Sequence, residues 1–226
     1  MYQSVLSDVD RAGICVAVGG GLTVSVYGGK WRDSKDIDLY IQRSDLERVQ
    51  QILKRNGLCD YFPIKAYDRK WIYRSHFRET IVDVIWAMAN QRAQVDSSWL
   101  SGPEAQVDGL KIRLLPPEET LWNKLYIMQF DRCDWPDAMN ILYASGAELN
   151  WDRMLQLLGN DRPLLAGLLS VFAWVCPGRA ASLPASIWPK LGVNQQAGGA
   201  IFSPERANLL DTRPWLTPMM EEPGAG

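Results

Sequence analysis

Val16 to Ile41 reads VAVGGGLTVSVYGGKWRDSKDIDLYI, and that order of features leaves a chain few ways to fold. Cys15 to Val18 is short, apolar and partly β-branched, which suits a buried strand. Gly19, Gly20 and Gly21 follow. Without side chains they let the backbone turn sharply and let N–H groups approach a ligand. Leu22 to Tyr27 then opens a helix. Its free N–H groups and positive dipole end face whatever lies on the glycines, and favour an anion such as phosphate. Asp36-Ile37-Asp38-Leu39-Tyr40-Ile41 alternates polar and apolar residues, the pattern of a strand. Asp36 and Asp38 therefore share a face. Two neighbouring carboxylates repel unless a positive group lies between them, and a divalent cation that also binds phosphate oxygens answers that need.

These residues resemble the nucleotidyltransferase-fold superfamily, whose signature is an apolar strand, Gly-Gly or Gly-Ser, a spacer and Asp-x-Asp. Gly20-Gly21 and Asp36-Ile37-Asp38 match it across a spacer of fourteen residues. The wording YGGKWRDSKDIDLYI is most similar to a bacterial branch that includes abortive-infection and toxin–antitoxin nucleotidyltransferases, with Arg32, Ser34 and Asp36 in the expected places. Many members carry Ser as the second residue of the Gly pair. Gly21 offers only backbone. The resemblance implies that Gly20 and Gly21 cradle phosphates, that Arg32 and Ser34 lie on the nucleotide side, and that Asp36 and Asp38 hold Mg²⁺ or Mn²⁺.

The family also uses a third carboxylate on a neighbouring strand, as metal ligand and general base. Asp83 is the single charge in Thr80-Ile81-Val82-Asp83-Val84-Ile85-Trp86. A buried carboxylate needs a partner: either a metal shared with Asp36 and Asp38, or an ion pair with Arg74 or Arg78. Further on, Leu121, Leu125 and Met128 form an apolar stripe that also carries Lys124. An inward lysine reaches an anion or snorkels at an edge. By resemblance, Glu118 with Lys124-Leu125 implies that Lys124 neutralises the triphosphate. Asp134 is placed to cap the helix that opens near Pro136, and Asp137 to hold Arg132 or Lys124.

The expected fold class is α+β, a nucleotidyltransferase-like mixed β-sheet with flanking helices followed by a helical domain. The expected division is 1–116 for the α/β domain, 117–213 for the helical domain, and 214–226 for a disordered C-terminal tail. Ser44 with Glu47 reads as a capping box for a helix whose stripe is Leu46, Val49, Ile52 and Leu53. Strands are expected at Trp71–Phe77, Thr80–Trp86 and Leu110–Leu115. Helices are expected at Val5–Arg11, Glu118–Gln129, Pro136–Ser145, Trp151–Leu158 and Pro163–Val175, with a short one near Ala185–Leu191. With 47% hydrophobic and 22% charged residues among 226, the chain has the makings of an ordinary core. A net charge of −2 gives no push toward nucleic acid. Cys15, Cys59, Cys133 and Cys176 form no CxxC pair, so no zinc site is expected, and Cys15 and Cys176 read as core residues. The lone His76 reads as a structural residue. No charged-then-apolar leader and no long apolar run are present, and the expected setting is cytoplasmic, with no membrane partner.

Two functions follow. One is a metal-dependent nucleotidyltransferase that moves a nucleoside monophosphate from an NTP to an acceptor hydroxyl on RNA or tRNA, a protein or a small molecule. The other is a non-catalytic, antitoxin-like regulatory module that binds a nucleotide or a partner protein on the same fold.

Overall fold

The computed structural model describes residues 1–31, 36–107, 109–194 and 198–220. The chain divides into two compact units: Met1–Thr23 with Trp31–Pro116, and Val24–Lys30 with the chain from Pro117 onward. The division falls inside one helix, so the second unit takes a piece of the N-terminal chain.

In the first unit, helix α1 (Tyr2–Arg11) precedes strand β1 (Ala17–Val18), the start of α2 (Gly20–Tyr27) and β2 (Asp36–Tyr40). Then come α3 (Leu46–Arg55), β3 (Cys59–Asp60), β4 (Ile72–Phe77), β5 (Thr80–Ile85), β6 (Glu104–Val107) and β7 (Leu110–Arg113). The main sheet is mixed, in the order β1-β2-β5-β4-β3. Only the β2–β5 pair is parallel; the others run antiparallel. The expected α+β class with a mixed sheet is the one observed. β6 and β7 form a separate hairpin, tied to β1 by a parallel bridge from Val18 to Leu114.

The apolar stripe of α3 is buried as expected, with Leu46, Val49, Ile52 and Leu53 at most 6% exposed. Each such side chain contributes roughly 1.5–3 kcal/mol relative to exposure. The capping box does not form. Arg43–Asp45 is instead a 3-10 turn leading into α3, and Asp45 at the N-cap accepts no capping hydrogen bond. A helix entered from a 3-10 turn already has its first amides engaged in i→i+3 bonds, so the serine cap has nothing to add. The β4–β5 turn lies where the sequence put it, with Arg78 left-handed at φ 54°. Cys15 is exposed, against expectation, because β1 starts at Ala17. Cys176 is buried, which pushes its thiol up to about 12.

The second unit is helical: α4 (Pro117–Leu125), α5 (Trp135–Ser145), α6 (Trp151–Leu158), α7 (Arg162–Val175), α8 (Pro177–Ala181), α9 (Ile187–Lys190), α10 (Pro204–Leu210) and α11 (Thr217–Met220), with the end of α2. α4 stops four residues before the expected Gln129. The chain there folds into a tight turn, with Met128 bridged to Cys133 and the Gln129 amide donating to the Arg132 carbonyl at 2.7 Å. Of the segment expected as a loose tail, Thr217–Met220 is helical, and 221–226 lie outside the described residues. Leu216 is fully buried, and Asn140 holds the segment from both sides. The Asn140 side-chain amide donates to the Trp215 carbonyl at 2.9 Å, and its oxygen accepts from the Thr217 amide at 2.7 Å. The Thr217 hydroxyl reaches the Gly28 carbonyl at 3.1 Å, and the Ser145 hydroxyl donates to the Tyr27 carbonyl at 2.7 Å. Among the described residues, no helix is long and apolar enough to cross a membrane.

Candidate active site

Strand register assembles the acidic residues. Asp38 on β2 lies directly opposite Asp83 on β5, and Asp83 lies opposite Arg74 on β4. Residues opposite one another in register present their side chains to one face. Asp38, Asp83 and Arg74 therefore form a row across three strands, and Asp36 belongs to the adjoining row on that face. Asp83 is 2% exposed.

Of the partners weighed for Asp83, the structure shows Arg74. Its Nε donates to one carboxylate oxygen at 2.7 Å and its Nη2 to the other at 2.5 Å. Such two-point pairing is the strong form of the interaction. Burial raises the Asp83 pKa; the Arg74 hydrogen bonds and charge lower it, and the net position is above the ordinary aspartate value. The Asp83 hydrogen bonds in turn raise the pKa of Arg74.

The glycines explain why Asp38 has room. Gly20 has φ +61°, where L side chains are strained, and a Cβ on it would occupy the space of Asp38 Oδ2. A Cβ on Gly19 would run into the Tyr40 ring, and the Gly19 amide donates to the Asp38 carbonyl at 2.9 Å. Close approaches to β2 are thus made at Gly19 as well as at Gly20 of the sequence pattern. Helix α2 begins at Gly20 itself, two residues before expectation. Gly20→Ala is expected to cost more than about 1 kcal/mol of stability, the usual scale for a side chain forced into positive φ, and to displace the Asp38 carboxylate. Thermal melts and an NTP titration of the variant check this; wild-type values in both would remove Gly20 from the site.

Asp36 and Asp38 fit a divalent cation of the magnesium type, which commonly uses one or two carboxylates plus phosphate oxygens. The three-carboxylate cluster does not form: among the described residues no group of three metal-ligating side chains is present, and Arg74 supplies the counter-charge for Asp83. Arg32 and Ser34 lie outside the described residues. Asp68 and Asp96 serve as turn caps, accepting from the Lys70 and Ser98 amides respectively. His76 packs edge-on against Tyr61, a structural contact as expected.

Lys124, in the second unit, is inward-facing as the stripe indicated, with its side chain 9% exposed. The anion it meets is internal. Its Nζ lies 2.7 Å from Asp134 and 2.8 Å from Asp137. Arg132 donates to both Asp134 oxygens at 2.8 Å. Asp134 therefore does not cap α5: it stands at the N-cap position but accepts no capping bond, because its oxygens are taken by two cations. Burial acts to raise the Asp134 pKa, but the Arg132 hydrogen bonds and the Lys124 charge together hold it below the ordinary value. The expected contact between Asp137 and Lys124 is present, while the lysine charge expected at the triphosphate is met here by Asp134 and Asp137.

The fold is similar to the solution structure of the antibiotic-resistance factor ANT(2'')-Ia, with a TM-score of 0.51 at 18% identity, over 74% of this chain and 92% of that one. It is also similar to the crystal structure of an antigenic nucleotidyltransferase-like protein from Paracoccidioides brasiliensis, with a TM-score of 0.52 at 19% identity, over 82% of this chain and 94% of the other. At such identities the likeness concerns the fold. No protein of curated function matches the sequence. A family model described as uncharacterised nucleotidyltransferase matches residues 4–159, more than half of the chain. With the glycine turn, the Asp-x-Asp strand and Asp83 all inside that span, the chain belongs to this family and is a nucleotidyltransferase.

Proposed function

We propose that the chain transfers a nucleoside monophosphate from an NTP to an acceptor hydroxyl in a reaction that needs a divalent cation. The observation that carries this reading is the row Asp38–Asp83–Arg74 beside Asp36, reached by the backbone of Gly19 and Gly20. Asp36 and Asp38 would hold Mg²⁺ or Mn²⁺, which when bound neutralises phosphate charge and polarises the phosphorus under attack. The start of α2 gives the phosphates a positive dipole end and amides without helical partners. By resemblance Arg32 and Ser34 join that side. Lys124 is left out, since its charge is met by Asp134 and Asp137.

The acceptor oxygen bonds to the α-phosphorus, the bond from that phosphorus to the β-phosphate oxygen breaks, and pyrophosphate leaves. The acceptor proton passes to Asp83. A carboxylate held above its ordinary pKa is a better proton acceptor near neutral pH, and Arg74 fixes its orientation through both oxygens. The resemblance to the abortive-infection and toxin–antitoxin branch extends this reading to macromolecular acceptors, which transfer assays address.

The decisive experiment pairs calorimetric titration of NTP, with and without Mg²⁺, with label transfer from α-labelled NTPs. Wild type is expected to bind NTP in a Mg²⁺-dependent way and to transfer label. Asp36→Ala with Asp38→Ala should lose the Mg²⁺-dependent binding and keep the fold, since removing two like charges from one strand face relieves repulsion. Unchanged NTP affinity in the double variant would defeat the reading. Normal NTP binding with no transfer to any acceptor would favour the non-catalytic module.

A further inference from the structure

The two carboxylates of β2 face different surroundings. Asp38 is packed against Gly20. Asp36 instead lines a cavity of about 310 Å³ that Asp38 does not reach. All described residues lining this cavity belong to the first unit. Its walls are Tyr2 and Leu6 of α1, Leu22 of α2, Trp31, and Leu110 and Ile112 of β7. The Tyr2 hydroxyl sits 3.5 Å from the Ile81 carbonyl oxygen, at the end of β5 that pairs with Asp36. Burial first, and then the Asp36 charge, raise the Tyr2 pKa, consistent with a phenol that keeps its proton beside a carboxylate. Trp31 is half exposed, an indole face open to a ligand.

We propose that this cavity receives the apolar body of a small acceptor and sets its hydroxyl beside Asp36. The inference rests on the nucleotidyl-transfer reading above and names the acceptor class for that site. A volume near 300 Å³ is at the low end for small-molecule pockets, and an apolar wall with few polar groups is their usual chemistry. The nucleotide is assigned to the Asp38 side, because Gly19 and Gly20 approach Asp38 there. Asp36 then stands between the phosphates and the acceptor, where a transferred group must pass.

The test uses the full chain and the neutral dye N-phenyl-1-naphthylamine, whose fluorescence rises in apolar sites. Leu6→Trp and Leu110→Trp fill the cavity from two different walls, and circular dichroism checks that each folds. Saturable dye binding is expected in wild type, weakened at least tenfold in both variants. The 1-alkanols from butanol to octanol should displace the dye about fourfold more tightly per added methylene, the factor that roughly 0.8 kcal/mol per buried CH₂ implies. NTP with Mg²⁺ should leave dye affinity unchanged. In label transfer from α-labelled NTP, small amphiphilic alcohols should accept in wild type and at least tenfold less in the filled variants. Absence of saturable dye binding overturns the proposal, as does equal binding in wild type and both variants. Displacement of the dye by NTP would make the cavity a nucleobase pocket and overturn it too. So would label passing to RNA or a polyamino sugar with no loss in the filled variants. Dye binding as expected in a chain that binds no NTP would instead strike at the nucleotidyl-transfer reading, and the acceptor role would fall with it.

Discussion

Asp83→Asn is expected to lower turnover by roughly 10²–10⁴-fold, the usual worth of a general base, while NTP affinity stays close to wild type. Asparagine keeps the volume and the strand geometry, and removes the proton acceptor. The pH profile separates this from a structural effect. The acidic limb of the wild-type profile should lie above the ordinary aspartate range, because burial holds the Asp83 pKa up against the Arg74 charge. In the variant that limb should vanish. Stability behaves differently. A group whose folded pKa is raised contributes stability that is fully present below its unfolded value and is lost as pH rises through the folded one. The substitution should therefore remove a cost of ionisation near neutral pH, offset by the lost pairing with Arg74. A variant that keeps both turnover and the acidic limb would show Asp83 to be only the partner of Arg74.

Lys124→Met carries the second large effect, and it falls on folding. Methionine replaces the stem of the lysine and leaves Asp134 and Asp137 without their shared cation, with side chains only 7% and 15% exposed. Removing one member of a buried pair costs roughly 3–5 kcal/mol. For a chain of this size that is a fall in melting temperature of about 6–20 °C. Arg132 still covers Asp134, which favours the lower end. The acid limb should move as well. A carboxylate with a depressed folded pKa gives stability that is present above its unfolded value and lost as pH falls through the folded value. Without Lys124 the Asp134 pKa rises, so acid unfolding of the second unit should begin at higher pH. Urea melts between neutral pH and pH 3 measure both quantities. A loss below about 1 kcal/mol would mean that water reaches the pair, and would return Lys124 to the list of groups available to a ligand.

These two residues also show what a sequence can disclose. The β2 and β5 strands, the α3 stripe and the Arg78-Glu79 turn were legible because each rests on local periodicity or turn chemistry. The candidate carboxylates stand out in the sequence because each is a charge inside an apolar strand. Their partners were less so. Which cation meets Asp83 depends on strand register, which places Arg74 and not Arg78 opposite it. The fate of Lys124 depends on a turn at Met128–Cys133 that ends α4 early and brings Asp134 back to it. β3 is two residues long and β6 four, too short to show a period. The cavity beside Asp36 gathers residues from α1, α2 and β7, and no spacing along the chain announces it.

The piece of N-terminal chain held in the helical unit bears on synthesis. Tyr27 and Gly28 leave the ribosome early, yet their carbonyls are met by Ser145 and Thr217. At roughly 5–20 residues per second, the separations of 118 and 189 residues mean that these carbonyls wait on the order of 6–40 s. The segment Val24–Lys30 is short and includes apolar Val24, Val26 and Tyr27. During that interval the first unit has all its strands, while α2 has only its first turn in that unit. A nascent chain in which Ser145 has not yet emerged therefore carries an end of α2 whose carbonyls have not met their side-chain partners.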